Sequence, residues 1–156
     1  MTADPSARLT RLNAEYARAL DDDRLEDWPA FFTDPCLYSI TSVDNHRQGL
    51  PAGLMYADSR GMLHDRVAAL REANIYERQS YRHLVGLPAI LGDKDGTLLA
   101  ETPFLVVRIM RDGRMDLFAT GRYLDHVMED SGDFKLRERI VVCDSNRIDT
   151  LLAIPL

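Results

Sequence analysis

The sequence predicts an α+β fold in which N-terminal helices cover a long, strongly bent, mostly antiparallel sheet, an α+β cone or half-barrel. Two patterns carry this reading. The first third of the 156 residues places apolar side chains at helical spacing, and the second half alternates extended apolar runs with clusters of Gly and Asp. At this length one domain, residues 1–156, is expected, large enough to bury roughly two thirds of the surface its unfolded chain exposes.

Taken in order, Asp4-Pro5-Ser6 is a helix start, an acceptor side chain followed by a proline that the first turn tolerates. Leu9, Leu12, Tyr16, Ala19 and Leu20 then form an apolar stripe, with Arg8, Arg11, Glu15 and Arg18 facing water. Asp21-Asp22-Asp23 puts negative charge at the negative end of the helix dipole and stops it. Asp23 and Glu26 have capping-box spacing for a second, short helix that carries Leu25, Trp28, Phe31 and Phe32.

Leu37 to Val43 reads as the first strand, ending in the polar stretch Asp44 to Gly49. Leu54 to Ala57 is a short apolar run. Asp58 or Ser59 then caps a third helix to about Ala73, with Met62, Leu63, Val67 and Leu70 as its buried stripe and Asn74 as its terminator. Four strands follow, Arg82 to Leu91, Leu98 to Met110, Met115 to Val127 and Lys135 to Ser145, joined by Asp- and Gly-rich turns short enough to make neighbours antiparallel. Phe104 to Val107 is apolar on both faces, as in a central strand, and Pro88 and Pro103 mark an edge or a bulge. Leu136, Ile140 and Val142 are expected to share a face with Glu138 and Asp144, carboxylates that need a partner, water or a role. A last short apolar run spans Thr150 to Leu156, of which Leu151 to Leu156 is expected to pack in the core or against a sister subunit.

Composition narrows the function. A net charge of −6 argues against a nucleic-acid backbone as partner. No uninterrupted apolar run approaches the roughly 20 residues of a membrane span, and Met1 to Pro5 lacks a signal pattern, so a cytoplasmic protein with no membrane partner is expected. Cys36 and Cys143 lack metal spacing and read as buried small hydrophobes. Of 19 basic residues only Lys94 and Lys135 are lysine; arginine suits interfaces, and GC-rich coding gives the same bias.

Chemistry is sparse. His46, His64, His83 and His126 show no i, i+4 metal spacing; a Rieske ligand pattern, a phosphate loop and a nucleophile elbow are absent. What remains is a scattered acid/base set, Tyr38, Asp44, His46, His83 and Asp144. A cone pocket using Asp44 and His46 would suit a stand-alone isomerase or dehydratase, and ligand binding in the pocket with no catalysis a small-molecule carrier. His83 fits equally a satisfied core or interface histidine.

The stretches WPAFFTDPCLY (28–38), VDNHRQGL (43–50), DSRGMLHDRVAALREANIYERQSYRH (58–83) and LRERIVVCDS (136–145) resemble the small, or beta, subunit of aromatic-ring-hydroxylating dioxygenases. Within that family LREANIYER, YRHLVGLP, TPFLVVRIM and CDSNRIDTLLAIPL are most similar to the terephthalate-type branch, with salicylate- and anthranilate-type members next. The resemblance implies an NTF2-like (SnoaL-like) cone and a hetero-hexamer of three large and three small subunits. It further implies that the large subunit holds a Rieske [2Fe-2S] cluster and a mononuclear Fe(II) fed from NADH through a reductase. This chain would then own no catalytic, cofactor or metal residue and act as scaffold. Specific interfaces bury on the order of 1,600 Å² with aromatic and arginine anchors. The candidates here are Asp44, His46, Arg47, Tyr76, Arg78, Tyr81, Arg82 and His83, each of which equally suits a solvated surface.

Overall fold

The structure is a computed structural model describing residues 4–50, 53–72, 79–146 and 154–156. Helix α1, Pro5–Asp21, starts where expected, with the Asp4 carboxylate accepting the Ser6 amide. Its buried stripe includes Asn13, while Leu12 is only half-buried. Arg8 is not simply solvated: its guanidinium stacks 3.8 Å from the Phe134 ring centroid and donates to Gly132 O at 3.1 Å.

The second helix is a 3₁₀ segment, Leu25–Phe31, preceded by Arg24 with no side-chain cap. The expected capping box does not form because both carboxylates are engaged elsewhere. Arg71 donates to Asp23 at 3.0 Å and to Glu26 at 2.7 and 2.9 Å, joining this turn to a distant helix.

Strand β1, Phe32–Ser42, begins at Phe32 rather than Leu37. The polar stretch after it is partly helical: α2, Val43–Arg47, is capped by the Ser42 hydroxyl, which accepts the Asn45 amide. Strand β2, Met55–Ala57, leads to α3, Arg60–Glu72, capped by Ser59 Oγ accepting the Met62 amide. Leu63, Val67 and Leu70 are buried as expected, but Met62 lies off that stripe and is exposed. The expected terminator Asn74 lies outside the described residues.

The expected strand Arg82 to Leu91 is two strands, β3, Gln79–Val85, and β4, Ala89–Lys94. Both pair antiparallel with β5, Thr97–Met110. The break falls opposite Pro103, which has no N–H to offer a neighbour; its carbonyl instead accepts the Gly86 amide at 2.8 Å. Strands β6, Met115–Asp130, and β7, Asp133–Cys143, complete the meander. The curved, unclosed sheet runs β2-β1-β7-β6-β5-β3, with β4 beside β5, and gives the α+β cone expected. The β1–β7 pairing is parallel, aligning Tyr38 with Arg139 and Ser42 with Cys143.

One facing differs from expectation. His126 pairs with Glu138 but Val127 pairs with Leu136, so Arg137 is the extra residue of a bulge. Leu136 therefore joins Arg139, Val141 and Cys143 on the core face, while Glu138, Ile140 and Val142 lie on the other. Of the three alternatives, both carboxylates have a partner, Glu138 with His126 Nδ1 at 3.2 Å and Asp144 with the Thr120 hydroxyl at 2.9 Å.

Candidate functional site

Function could be carried by the interior of the cone, by the outer face of its sheet, or by a cavity of about 600 Å³ between α1 and the β6–β7 turn, lined by Arg8, Arg11, Glu15, Phe31, Phe134 and Lys135. The interior is lined by aromatic side chains packed on one another. Trp28, Phe32 and Tyr38 meet edge to face, with centroids 5.1 to 5.8 Å apart, and Phe104 stacks on Tyr123 at 4.6 Å. Between Tyr16 and Tyr123 lies the guanidinium of Arg139, 4.5 and 4.0 Å from the two ring centroids. Arg139 Nε and Nη2 each donate to the Asp125 carboxylate at 2.8 Å, and Nη2 donates to Asn13 Oδ1 at 2.6 Å. Burial pushes the phenols of Tyr16, Tyr38 and Tyr123 above their ordinary range, so they stay protonated.

The last three residues are buried here too. Tyr16 and Tyr38 both donate to the main-chain oxygen of Leu156 at 2.8 Å, and Tyr38 Oη accepts the Leu156 amide at 3.1 Å. The terminal run thus packs in the core over 154–156; its residues 150–153 lie outside the described ones.

The residues expected to act do not assemble in this interior. Asp44, His46 and Arg47 lie on α2 away from it, where Asp44 meets the Asn146 amide at 3.4 Å, whereas Tyr38 is fully buried. The isomerase-like site that joined Asp44 and His46 to the cone is therefore not formed, because the polar stretch coils outward as a helix. Tyr81 and His83 point inward from β3, 2% and 5% exposed, and leave Arg82 facing out between them. His83 Nδ1 lies 2.6 Å from Asp21 Oδ1 and its amide donates to Asp21 Oδ2 at 2.9 Å, so this histidine ties β3 to the end of α1. Alternation along a strand that begins at Gln79 removes both residues from the outer surface. Tyr76 and Arg78 lie outside the described residues.

Nor do the residues present fit a metal centre. Among the described residues no three His, Cys, Asp or Glu side chains cluster in a metal-holding arrangement. Burial pushes the Cys36 thiol up to about 11 and Cys143 to about 12, so neither offers a thiolate. The described side chains therefore do not suit iron or an iron–sulfur cluster. Among the described residues no helix is long and apolar enough to cross a membrane.

The outer face carries the other signal. Cross-strand pairing sets Leu84 beside Leu105, Arg82 beside Val107 and Val107 beside Leu117, with Ile109 beside Met115. Leu84, Met115 and Leu117 are 59 to 70% exposed. Contiguous apolar surface of this kind is the mark of a partner.

Comparison with known proteins decides the family. A family profile described as ring hydroxylating beta subunit matches residues 15–150. The chain belongs to this beta-subunit family of ring-hydroxylating dioxygenases. It is 52% identical to the beta 1 and beta 2 subunits of the terminal oxygenase component of terephthalate 1,2-dioxygenase from Comamonas sp, over 96% of this chain and 97% of each relative. It is 38% identical to the anthranilate 1,2-dioxygenase small subunit of Burkholderia cepacia, covering 93% of this chain and 90% of the relative. A crystal structure from Novosphingobium aromaticivorans, assigned as the beta subunit of an aromatic-ring-hydroxylating dioxygenase, superposes with a TM-score of 0.89 at 41% identity. That match covers 97% of this chain and 96% of the other. The beta subunit is thus one component of a dioxygenase complex, and the alpha subunit is its implied partner.

Two features of this beta subunit escaped the sequence. The Asn13–Arg139–Asp125 cluster was signalled by Asp125 standing at an inward position between Tyr123 and Val127, and by Asn13 within the α1 stripe. The outer apolar face was signalled by Leu105 and Val107, which on sequence alone suit the covered face of a central strand.

Proposed function

We propose that this beta subunit is the non-catalytic scaffold of a cytoplasmic dioxygenase of the terephthalate 1,2-dioxygenase type, which dihydroxylates an aromatic carboxylate. In this reading three alpha and three beta subunits assemble. The alpha subunit holds the Rieske [2Fe-2S] cluster and the mononuclear Fe(II), reduced by NADH through a separate reductase, and the beta subunits fix the alpha subunits relative to one another. The observation that carries the substrate class is the 52% identity along 96% of the chain to subunits of an enzyme named for terephthalate. The scaffold role is supported by an interior packed with the subunit's own aromatic side chains and by the exposed apolar band on β3, β5 and β6.

Arg82, the apolar band around it and the α2 residues Asp44, His46 and Arg47 are the described surface offered to partners. Arg82 combines exposure with a fixed base, its Nη1 lying 3.6 Å from the buried Asp21 carboxylate. The test is co-expression of alpha with and without beta. Assembly and terephthalate turnover that need both chains support the proposal, and an alpha subunit fully assembled and active alone overturns it.

A further inference from the structure

We propose that the cavity between α1 and the β6–β7 turn binds a small aromatic carboxylate, with its ring against Leu12, Phe31 and Phe134 and its charge met by Arg11 and Lys135. The site lies outside the core of the curved sheet, and it does not depend on the scaffold role.

Helix α1 separates the two regions. Leu9, Asn13, Tyr16 and Leu20 are buried toward the core, whereas Arg8, Arg11, Leu12 and Glu15 recur at spacings of three and four along the flank that borders the cavity. Ala30 and Phe31, at the end of the 3₁₀ segment, and the turn from Gly132 to Lys135 form the other walls. Its volume of about 600 Å³ falls within the roughly 300–1,000 Å³ usual for small-molecule sites. The walls are held in place by contacts of their own. The Arg8 guanidinium lies over Phe134 and donates to Gly132 O, tying α1 to the turn, and Phe31 meets Tyr16 edge to face at 5.6 Å.

Charge and surface together define the ligand. Leu12, Phe31 and Phe134 are only partly buried against the core, so each keeps apolar surface for a flat ring. Of the charged groups, Arg8 is paired with Glu129, and Glu15 with Arg18 at 3.0 Å. Among the described residues no carboxylate pairs with Arg11 or Lys135, which leaves two cations facing one carboxylate, Asp133, on a chain of net charge −6. Lys135, one of only two lysines, donates to Ala30 O at 2.6 Å; this fixes the ammonium at the wall and leaves it two further hydrogens. A rigid ring that carries one carboxylate uses both features and loses little freedom on binding. A protein partner needs far more contact, on the order of 800 Å² from this chain. The apolar band offers that kind of surface, and it lies around Leu117, at the other end of β6 from this turn.

Benzoate is the probe, titrated calorimetrically into the full-length subunit. One site with a dissociation constant of about 1 mM or tighter is expected. Benzamide, which lacks the charge, and acetate, which lacks the ring, should each bind about tenfold more weakly. Arg11→Met and Lys135→Met should each weaken benzoate about threefold, and together about tenfold. Arg11 and Ala7 are exposed on α1, so Arg11→Met and Ala7→Trp should keep the fold, and Ala7→Trp should abolish binding by filling the cavity with charge unchanged. In the complex with the alpha subunit, equilibrium dialysis should find one more benzoate per beta subunit than in the complex carrying Ala7→Trp. The proposal is overturned by no binding at about 10 mM benzoate, by equal affinity for benzoate and benzamide, or by unchanged affinity in Arg11→Met or Ala7→Trp. Equal benzoate counts in the two complexes overturn it as well, because the cavity would then belong to a carboxylate side chain of the partner.

Discussion

Arg139 and Asp125 meet side by side, two nitrogens to two oxygens at 2.8 Å each, and neither side chain reaches solvent. Burial alone would lower the affinity of the guanidinium for its proton, but the facing carboxylate more than offsets this and holds Arg139 charged. The pair crosses from β6 to β7, and Asn13 adds α1, so one cluster ties the helix layer to the middle of the sheet. Replacing such a pair by apolar residues can be neutral, whereas removing one half strands a charge.

Arg139→Met alone and Asp125→Leu alone should each destabilise the subunit by about 3–5 kcal/mol. The double substitution should cost less than either single change, as each single leaves a buried ion without its mate. Urea unfolding of the four proteins measures the coupling, and additive losses would refute this account.

Glu26 should make stability depend on acid pH. Hydrogen bonds from Arg71 hold its carboxyl at about 2, against an ordinary 4.5. Because the folded value is depressed, the contribution is complete above about 4.5 and is lost as pH falls from there toward 2. The pair is largely solvent-exposed, so only about 0.5 kcal/mol is expected. Glu26→Gln should flatten that part of the stability curve measured by thermal melts between these pH values.

Gly121 stands where β6 and β7 approach closely. A Cβ there would lie 2.1 Å from the Val142 carbonyl oxygen, a backbone atom that cannot swing aside. Gly121→Ala should cost about 2 kcal/mol or more, as overpacking does, and a midpoint of denaturation equal to the parent's would show that the strands separate easily.

Arg82→Ala should weaken assembly with the alpha subunit more than it weakens folding. Its guanidinium is mostly exposed, so the isolated subunit should lose only about 0.5 kcal/mol. Sedimentation of the complex beside a thermal melt of the subunit compares the two, and the reverse ordering would remove Arg82 from the interface.

Leu117→Asp addresses the apolar band. The side chain is 66% exposed, so the melting temperature should change little while the yield of assembled complex falls at least severalfold. Unchanged assembly would move the contact elsewhere.

What the sequence determined by itself was local. Caps, turn residues and the two periodicities placed α1, α3 and the hairpins β5–β6 and β6–β7 within a few residues, because each is set by side chains near one another in the chain. Several of its family-like stretches lie in those same segments. The tertiary structure decided what depends on distant pairs. The parallel β1–β7 pairing and the bulge at Arg137 have no neighbour-to-neighbour signal, and Pro88 and Pro103 signalled an irregularity without showing that it splits β3 from β4. That bulge decided which face Leu136 shares, and alternation along β3 turned His83 inward and Arg82 outward. The same long-range closure brought Asn13, Asp125 and Arg139 together and carried Leu156 to Tyr16 and Tyr38. Burial makes a polar group costly unless a partner arrives with it, and only the folded chain supplies that partner.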